Sequence, residues 1–325
     1  MQNSVLGSRQ TEIKLVQCNP LMSSILITGG SGLLAINWAT RIGEFNSVTL
    51  GIHHRKITIP HTQSICVDLE SVKQIRQTLD KLAVDTVIHT AAVSNIEKCE
   101  QEPQLAEHIN VELANNVAQA AREHGARFVH ISTDHLFDGI APMRTEDDQI
   151  SPLNVYARTK GEAEHRVLAA CPDALVIRTN FYGWGTAYRS SFSDGILATL
   201  NAGQSVMLFE DVYYTPILID VLVDAVQKLL SAAQTGIFNI VGDQRISKFD
   251  FGCKLATVFG FDPALIRRNR LYERKDLTLR PFDMSLSNRK AVGVLGGSLG
   301  SAEEHLILLR EASKRPLVSP GMSVA

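Results

Sequence analysis

From Ser24 to Arg178, short apolar runs alternate with stretches of helical pattern, and no other feature of the chain limits its fold as strongly. The runs are Ile25 to Thr28, Val48 to Ile52, Ile65 to Leu69, Thr86 to Ala91, Arg127 to Ser132 and Leu175 to Arg178. Strands that are apolar on both faces need helices on both sides, so the pattern predicts parallel strands joined by helical crossovers. The expected class is α/β, a Rossmann-type doubly wound parallel sheet. After Arg178 the alternation gives way to aromatic and Gly-rich segments at Asn180 to Tyr188 and Glu210 to Tyr214, which predict a smaller C-terminal substrate-binding lobe. The stripe Leu218, Leu222, Val226, Leu230 and the apolar run Gly236 to Gly242 are expected to return to the sheet, so the lobes interleave. The expected division is 24–178 with a return segment of about 215–245 for the cofactor half, and 179–214 with 246–314 for the substrate half. Residues 1–23 and 315–325 are expected to be flexible ends. A second stripe, Leu105, Ile109, Leu113 and Val117, is expected to face the core or a dimer partner rather than a cofactor.

At 325 residues with a net charge of −2, acids and bases interspersed, the chain carries no large single-sign field. Nucleic acid and acidic membrane are therefore not expected partners, and the ligand should be small. The five cysteines, Cys18, Cys66, Cys99, Cys171 and Cys253, are scattered and never form a Cys-x-x-Cys pair. They read as reduced, mostly buried thiols. No apolar run reaches the roughly 20 residues that span a bilayer, and residues 1–21 lack the apolar core of a secretory signal, so the cytoplasm is the expected compartment. Met22 is a candidate alternative start.

The strand Ile25-Leu26-Ile27 runs into Thr28-Gly29-Gly30-Ser31-Gly32-Leu33-Leu34-Ala35, and Leu34, Trp38 and Ile42 open a helix. Glycines let the backbone turn tightly and approach a pyrophosphate, which then sits at the positive helix N-terminus. This predicts a dinucleotide site with Gly29, Ser31, Gly32 and Leu33 against the phosphates. NAD-preferring sites place an acid about 20 positions further on, on the adenosine ribose. Here the second strand ends in His53-His54-Arg55-Lys56, so a 2′-phosphate is favoured: NADPH is expected, NADH is possible, and Arg55 is the leading contact. The competing reading is a solvated basic loop. No other ligand is spaced to make the two histidines a metal site, so no metal is expected.

Tyr156 and Lys160, the only tyrosine–lysine pair four residues apart, follow the helix-start signal Ser151-Pro152. That spacing puts both on one helix face. An ammonium there is expected to stabilise the phenolate and lower a tyrosine pKa of about 10. The strand Phe128 to Ile131 ends in Ser132-Thr133-Asp134, which puts a hydroxyl at the carboxyl edge of the sheet, where ligands bind. The predicted catalytic set is Thr133, Tyr156 and Lys160. Tyr156 protonates an alkoxide as a carbonyl is reduced, Lys160 stabilises the phenolate and holds the nicotinamide ribose, and Thr133 bonds the carbonyl oxygen.

These residues resemble the extended short-chain dehydrogenase/reductase superfamily and, within it, the dTDP-4-dehydrorhamnose reductase family. The matching stretches run from about Ile25 to Leu286. They include Gly29 to Leu34, Asp68-Leu69, Ala91-Ala92, Cys99-Glu100 with Pro103, Ser132-Thr133-Asp134, Phe137-Asp138-Gly139, Pro152 with Tyr156 and Lys160-Gly161-Glu162, Arg178-Thr179 and Arg280-Pro281. The resemblance implies that Asp68 and Leu69 flank the adenine and that Ala91, Ala92 and Val93 line the cofactor. It also implies that Thr133, Asp134 and Phe181 meet the sugar and makes Arg280 a candidate for the nucleotide diphosphate; a surface arginine beside a proline turn is the competing reading. It implies a nucleotide-sugar substrate, and the helical stripes make a homodimer the expected assembly. Asp211-Val212-Tyr213-Tyr214-Thr215-Pro216-Ile217 departs from the family's Asp-Gln-x-Gly-x-Pro-Thr, and His135 stands where tyrosine is common. Three readings therefore stay open: reduction of a dTDP-linked 4-ketosugar, reduction or epimerisation-reduction of a GDP-, UDP- or CDP-linked one, and a non-catalytic NADP-binding regulatory subunit. The regulatory β subunit of methionine adenosyltransferase is similar in fold.

Overall fold

The computed structural model describes residues 23–186 and 188–313; the expectations for the two chain ends, for Met22 and for Cys18 lie outside the described residues. Seven parallel strands form the main sheet: β1 (Ser24–Thr28), β2 (Ser47–Ile52), β3 (Thr62–Cys66), β4 (Thr86–His89), β5 (Arg127–Ile131), β6 (Leu175–Arg178) and β7 (Gly236–Asn239). Their order across the sheet is β7-β6-β5-β4-β1-β2-β3. The chain winds outward from β1 to β3 and then crosses back to β4, so the connections diverge between β1 and β4. A crevice opens there outside the carboxyl ends.

Two apolar layers cover the sheet. One packs the helices Leu33–Ile42 and Ile219–Ser231 on it, with Trp38, Leu222 and Val226 fully buried. The other packs Val72–Leu82, Leu113–His124 and Val155–Ala170 around Leu79, Val117 and Phe128. Each such large side chain contributes about 1.5–3 kcal/mol by leaving water. A third cluster around Phe251 and Leu255 belongs to the C-terminal segments, held by three short ladders: 181–182 with 217–218, 213–214 with 246–247, and 206–209 with 266–269.

Two sequence expectations are corrected. The third strand is Thr62–Cys66, earlier than the apolar run Ile65 to Leu69, because β3 is a half-exposed edge strand and the run continues into the loop beneath the crevice. The stripe at Leu105, Ile109, Leu113 and Val117 divides: only Val117 enters the core, and the other three line the main cavity. A π-helical turn, His108–Glu112, interrupts this stretch. Of the four described cysteines, all free, Cys99 and Cys171 are buried while Cys66 is exposed.

Candidate active site

The crevice is a cavity of about 750 Å³. Carboxyl ends of five strands build it: Gly29 after β1, Ile52 and His53 at β2, Asp68 after β3, Ala91 after β4 and Ile131 at β5. Gly29 sits at φ +71°, and a Cβ there would come 2.6 Å from the Ala91 backbone nitrogen, so only glycine fits. Gly30 N–H donates to Gly51 O at 2.9 Å and Gly32 N–H to Gly29 O at 2.8 Å, closing the turn. Gly32 caps the helix Leu33–Ile42 without any side-chain bond, leaving first-turn N–H groups for an anion. The cavity could hold a dinucleotide, lined by Gly29, Ser31, Gly32 and Leu33 at the glycine turn and by Asp68, Leu69, Ala91, Ala92 and Val93 along its walls.

Arg55 does not line the cavity; His53 does. The Arg55 guanidinium lies 4.0 Å over the Tyr188 ring, and the Tyr188 hydroxyl donates to Ser31 O at 3.1 Å. Arg55 thus stands outside the lining, joined through Tyr188 to the glycine turn.

Tyr156 and Lys160 line the same cavity. Their helix begins at Val155, three residues past the expected Pro152, because the Asn154 side chain caps it by accepting from Ala157 N–H at 2.9 Å. The buried pair Arg178–Glu164, 2.7 Å, ties this helix to β6. The neighbouring Thr133 hydroxyl favours the phenolate, but burial dominates and pushes the phenol up to about 12. The expectation that Lys160 lowers this pKa is corrected. The ammonium donates to Ile131 O at 2.6 Å and meets His130 Nε2 at 3.3 Å, so the helix spacing gives its face but not its partner. Burial lowers the Lys160 pKa to about 8. His130 stacks on His89, with centroids 5.6 Å apart, and burial keeps both imidazoles neutral. An unprotonated Nε2 can therefore accept from Lys160.

Thr133 and Asp134 lie beside the cavity, outside its lining, and both are buried. Asp134 accepts from Asn180 Nδ2 at 2.6 Å, and burial raises its pKa to about 6. His135 packs edge-on against Tyr156 at 5.7 Å, and its Nδ1 is buried without a partner among the described residues. Desolvation holds the His135 pKa down to about 3. Phe181 lines the cofactor cavity, and Arg280, half-buried, pairs with Glu97.

A second cavity, about 640 Å³, lies in the C-terminal segments. Arg245 stacks 3.8 Å over Tyr213 and binds Asp283, while Arg268 and Arg270 both reach Glu210. Sequence reading missed this cleft, the cavity wall at Leu105, Ile109 and Ser190 to Phe192, and Lys248. Helical spacing had marked Leu105 and Ile109 but not the side they face; the arginines form no local motif.

The fold and this site define a dinucleotide-dependent oxidoreductase. Residues 22–311 match the family model described as the RmlD substrate binding domain. The chain belongs to that family. It is 30% identical, over 88% of its length and 97% of the relative's, to a probable low-salt glycan biosynthesis reductase of Haloferax volcanii. A dTDP-4-dehydrorhamnose reductase of Salmonella typhimurium is 30% identical over 59% of this chain and 65% of its own length. The crystal structure of dTDP-4-dehydrorhamnose reductase from Bacillus anthracis in complex with NADP superposes with a TM-score of 0.78 at 22% identity, over 90% of this chain and all of that one.

Proposed function

We propose that this protein uses NADPH to reduce the 4-keto group of a nucleotide-activated deoxysugar, as a dTDP-4-dehydrorhamnose reductase does. One observation carries the reading: the Tyr156 phenol and Lys160 border the cavity of about 750 Å³ that the glycine turn opens at the carboxyl edge of the sheet. The relatives' names give the substrate class. When bound, the dinucleotide supplies the hydride. Tyr156, held protonated by its high pKa, surrenders its proton only to a strongly basic alkoxide such as carbonyl reduction creates. Thr133 orients the oxygen, and Lys160, on the wall of the same cavity, holds the nicotinamide ribose. Asp134 and Phe181 face the sugar. Arg280 and the arginine-lined cleft take the nucleotide end.

The cofactor half comprises 24–178 with a return segment of about 215–245, and 179–214 with 246–314 form the substrate half. A cytoplasmic homodimer belongs to the same proposal; light scattering that gave the monomer mass would remove the dimer. Epimerisation gains nothing from the geometry, since a His135 neutral down to about pH 3 is a poor acid and a weak base. Loss of NADPH absorbance with dTDP-, UDP-, GDP- and CDP-linked 4-ketosugars tests the reading. Turnover with at least one is expected. Tight NADPH binding with no turnover on any would replace the enzyme with a regulatory subunit.

A further inference from the structure

We propose that Lys248 is a substrate-binding cation whose ammonium, together with the Arg280 guanidinium, takes the diphosphate of the nucleotide sugar; the inference rests on the nucleotide-sugar reading above. Lys248 is the first residue of the helix Lys248–Phe259, directly after its N-cap Ser247. Its backbone N–H donates to Val212 O at 3.0 Å, which fixes the root of the side chain beside the 213–214 ladder. The ammonium then lies between two aromatic faces, 4.2 Å from the Tyr214 centroid and 4.7 Å from that of Phe192. Ring faces hold a cation but accept none of its N–H bonds as an oxygen does. Among the described residues, the Lys248 ammonium has no hydrogen bond and no close ion pair.

Its surroundings are rich in donors and poor in acceptors. Arg280 is close enough to oppose the Lys248 charge, and Asp134 is the acid that faces it. That carboxylate is already engaged by Asn180. The Tyr214 hydroxyl, near Asp134 and Tyr182, and the Tyr182 hydroxyl are buried without partners among the described residues. Arg280 is paired with Glu97 and Asp134 with Asn180, so the Lys248 ammonium and the two unpaired phenols are what remain to meet a ligand with several anionic oxygens. A diphosphate supplies them, whereas a neutral sugar ring would leave the ammonium unpaired. Phe192 also lines the cofactor cavity, so the Lys248 ammonium borders the reacting end of the site. Desolvation lowers the Lys248 pKa to about 8, so the lysine is charged at neutral pH.

The test titrates dTDP, UDP, GDP and CDP, each without sugar, into the NADPH-loaded protein by calorimetry. The wild type should bind at least one, and Lys248→Met should weaken that affinity roughly tenfold or more, with a shallower salt dependence. Lys248→Arg should restore most of it, and NADPH affinity should be unchanged in both variants. Lys248→Gln, similar in length and polar, serves if the methionine variant does not fold. Equal diphosphate affinity in wild type and the neutral variants overturns the proposal but leaves the nucleotide-sugar reading standing. Reduced turnover with intact diphosphate binding also overturns it, because the lysine would then act through Asp134. A wild type that binds none of the four removes both.

Discussion

The two cavities are built by opposite means. The cofactor cavity is walled by main chain and apolar side chains at the ends of neighbouring strands, so the sheet that carries the fold also shapes it. The cleft of the C-terminal segments is walled by charges recruited from far apart in sequence: Arg268 and Arg270 reach back 58 and 60 residues to Glu210. Its shape depends on long side chains held by ion pairs, which gain little individually at a surface. The first cavity should tolerate surface mutation and fail when its backbone is disturbed. The second should accept side-chain exchange and change its choice of ligand.

The largest effect that can break this comparison is at the junction of the two regions. Tyr156→Phe removes the proton donor without altering the cavity wall, so kcat should fall about 10²- to 10⁴-fold while NADPH affinity persists. Stopped-flow turnover and fluorescence titration check both halves. Next in size is the alkaline limb of activity. Lys160 is charged below its depressed pKa, so kcat should hold at neutral pH and fall as pH rises through about 8. Lys160→Arg should carry that limb upward; a profile flat past that pH in the wild type would show that the charge is not needed. Loss of Lys248's charge in the same range should instead raise KM, so the two limbs separate.

Gly29→Ala probes the backbone-built cavity. Its Cβ meets Ala91, so NADPH affinity should drop roughly tenfold and stability by about 1 kcal/mol or more, read by titration and thermal melts. The smallest effect belongs to Arg55. Arg55→Asp should weaken NADPH several-fold while leaving NADH nearly unchanged if Arg55, outside the cavity lining, meets the 2′-phosphate alone. Equal losses for both cofactors would assign Arg55 to the Tyr188 contact instead.

The same contrast explains what the sequence disclosed. Gly29 and the strand runs were legible because local geometry demands them: a left-handed turn admits glycine, and a two-sided sheet admits apolar strands. Tyr156 and Lys160 were legible as one helix face, yet the acceptors of the ammonium, Ile131 O and His130, lie on a strand 29 and 30 residues earlier. Nothing in helical spacing selects them. Leu105 and Ile109 showed the right period and the wrong destination, since periodicity marks a buried face without saying whether a core or a ligand covers it. Lys248 carried no signal at all: one basic residue at a helix start gains meaning only from Tyr214, Phe192 and Asp134 around it.

Reduction with deuterated NADPH, followed by mass analysis of the sugar product, tests the central claim most directly. The account predicts one deuterium on the former carbonyl carbon of the accepted 4-ketosugar, and no such product from Tyr156→Phe. A sugar that leaves the enzyme without the label, or an enzyme that holds NADPH and never consumes it with any nucleotide ketosugar, would contradict it.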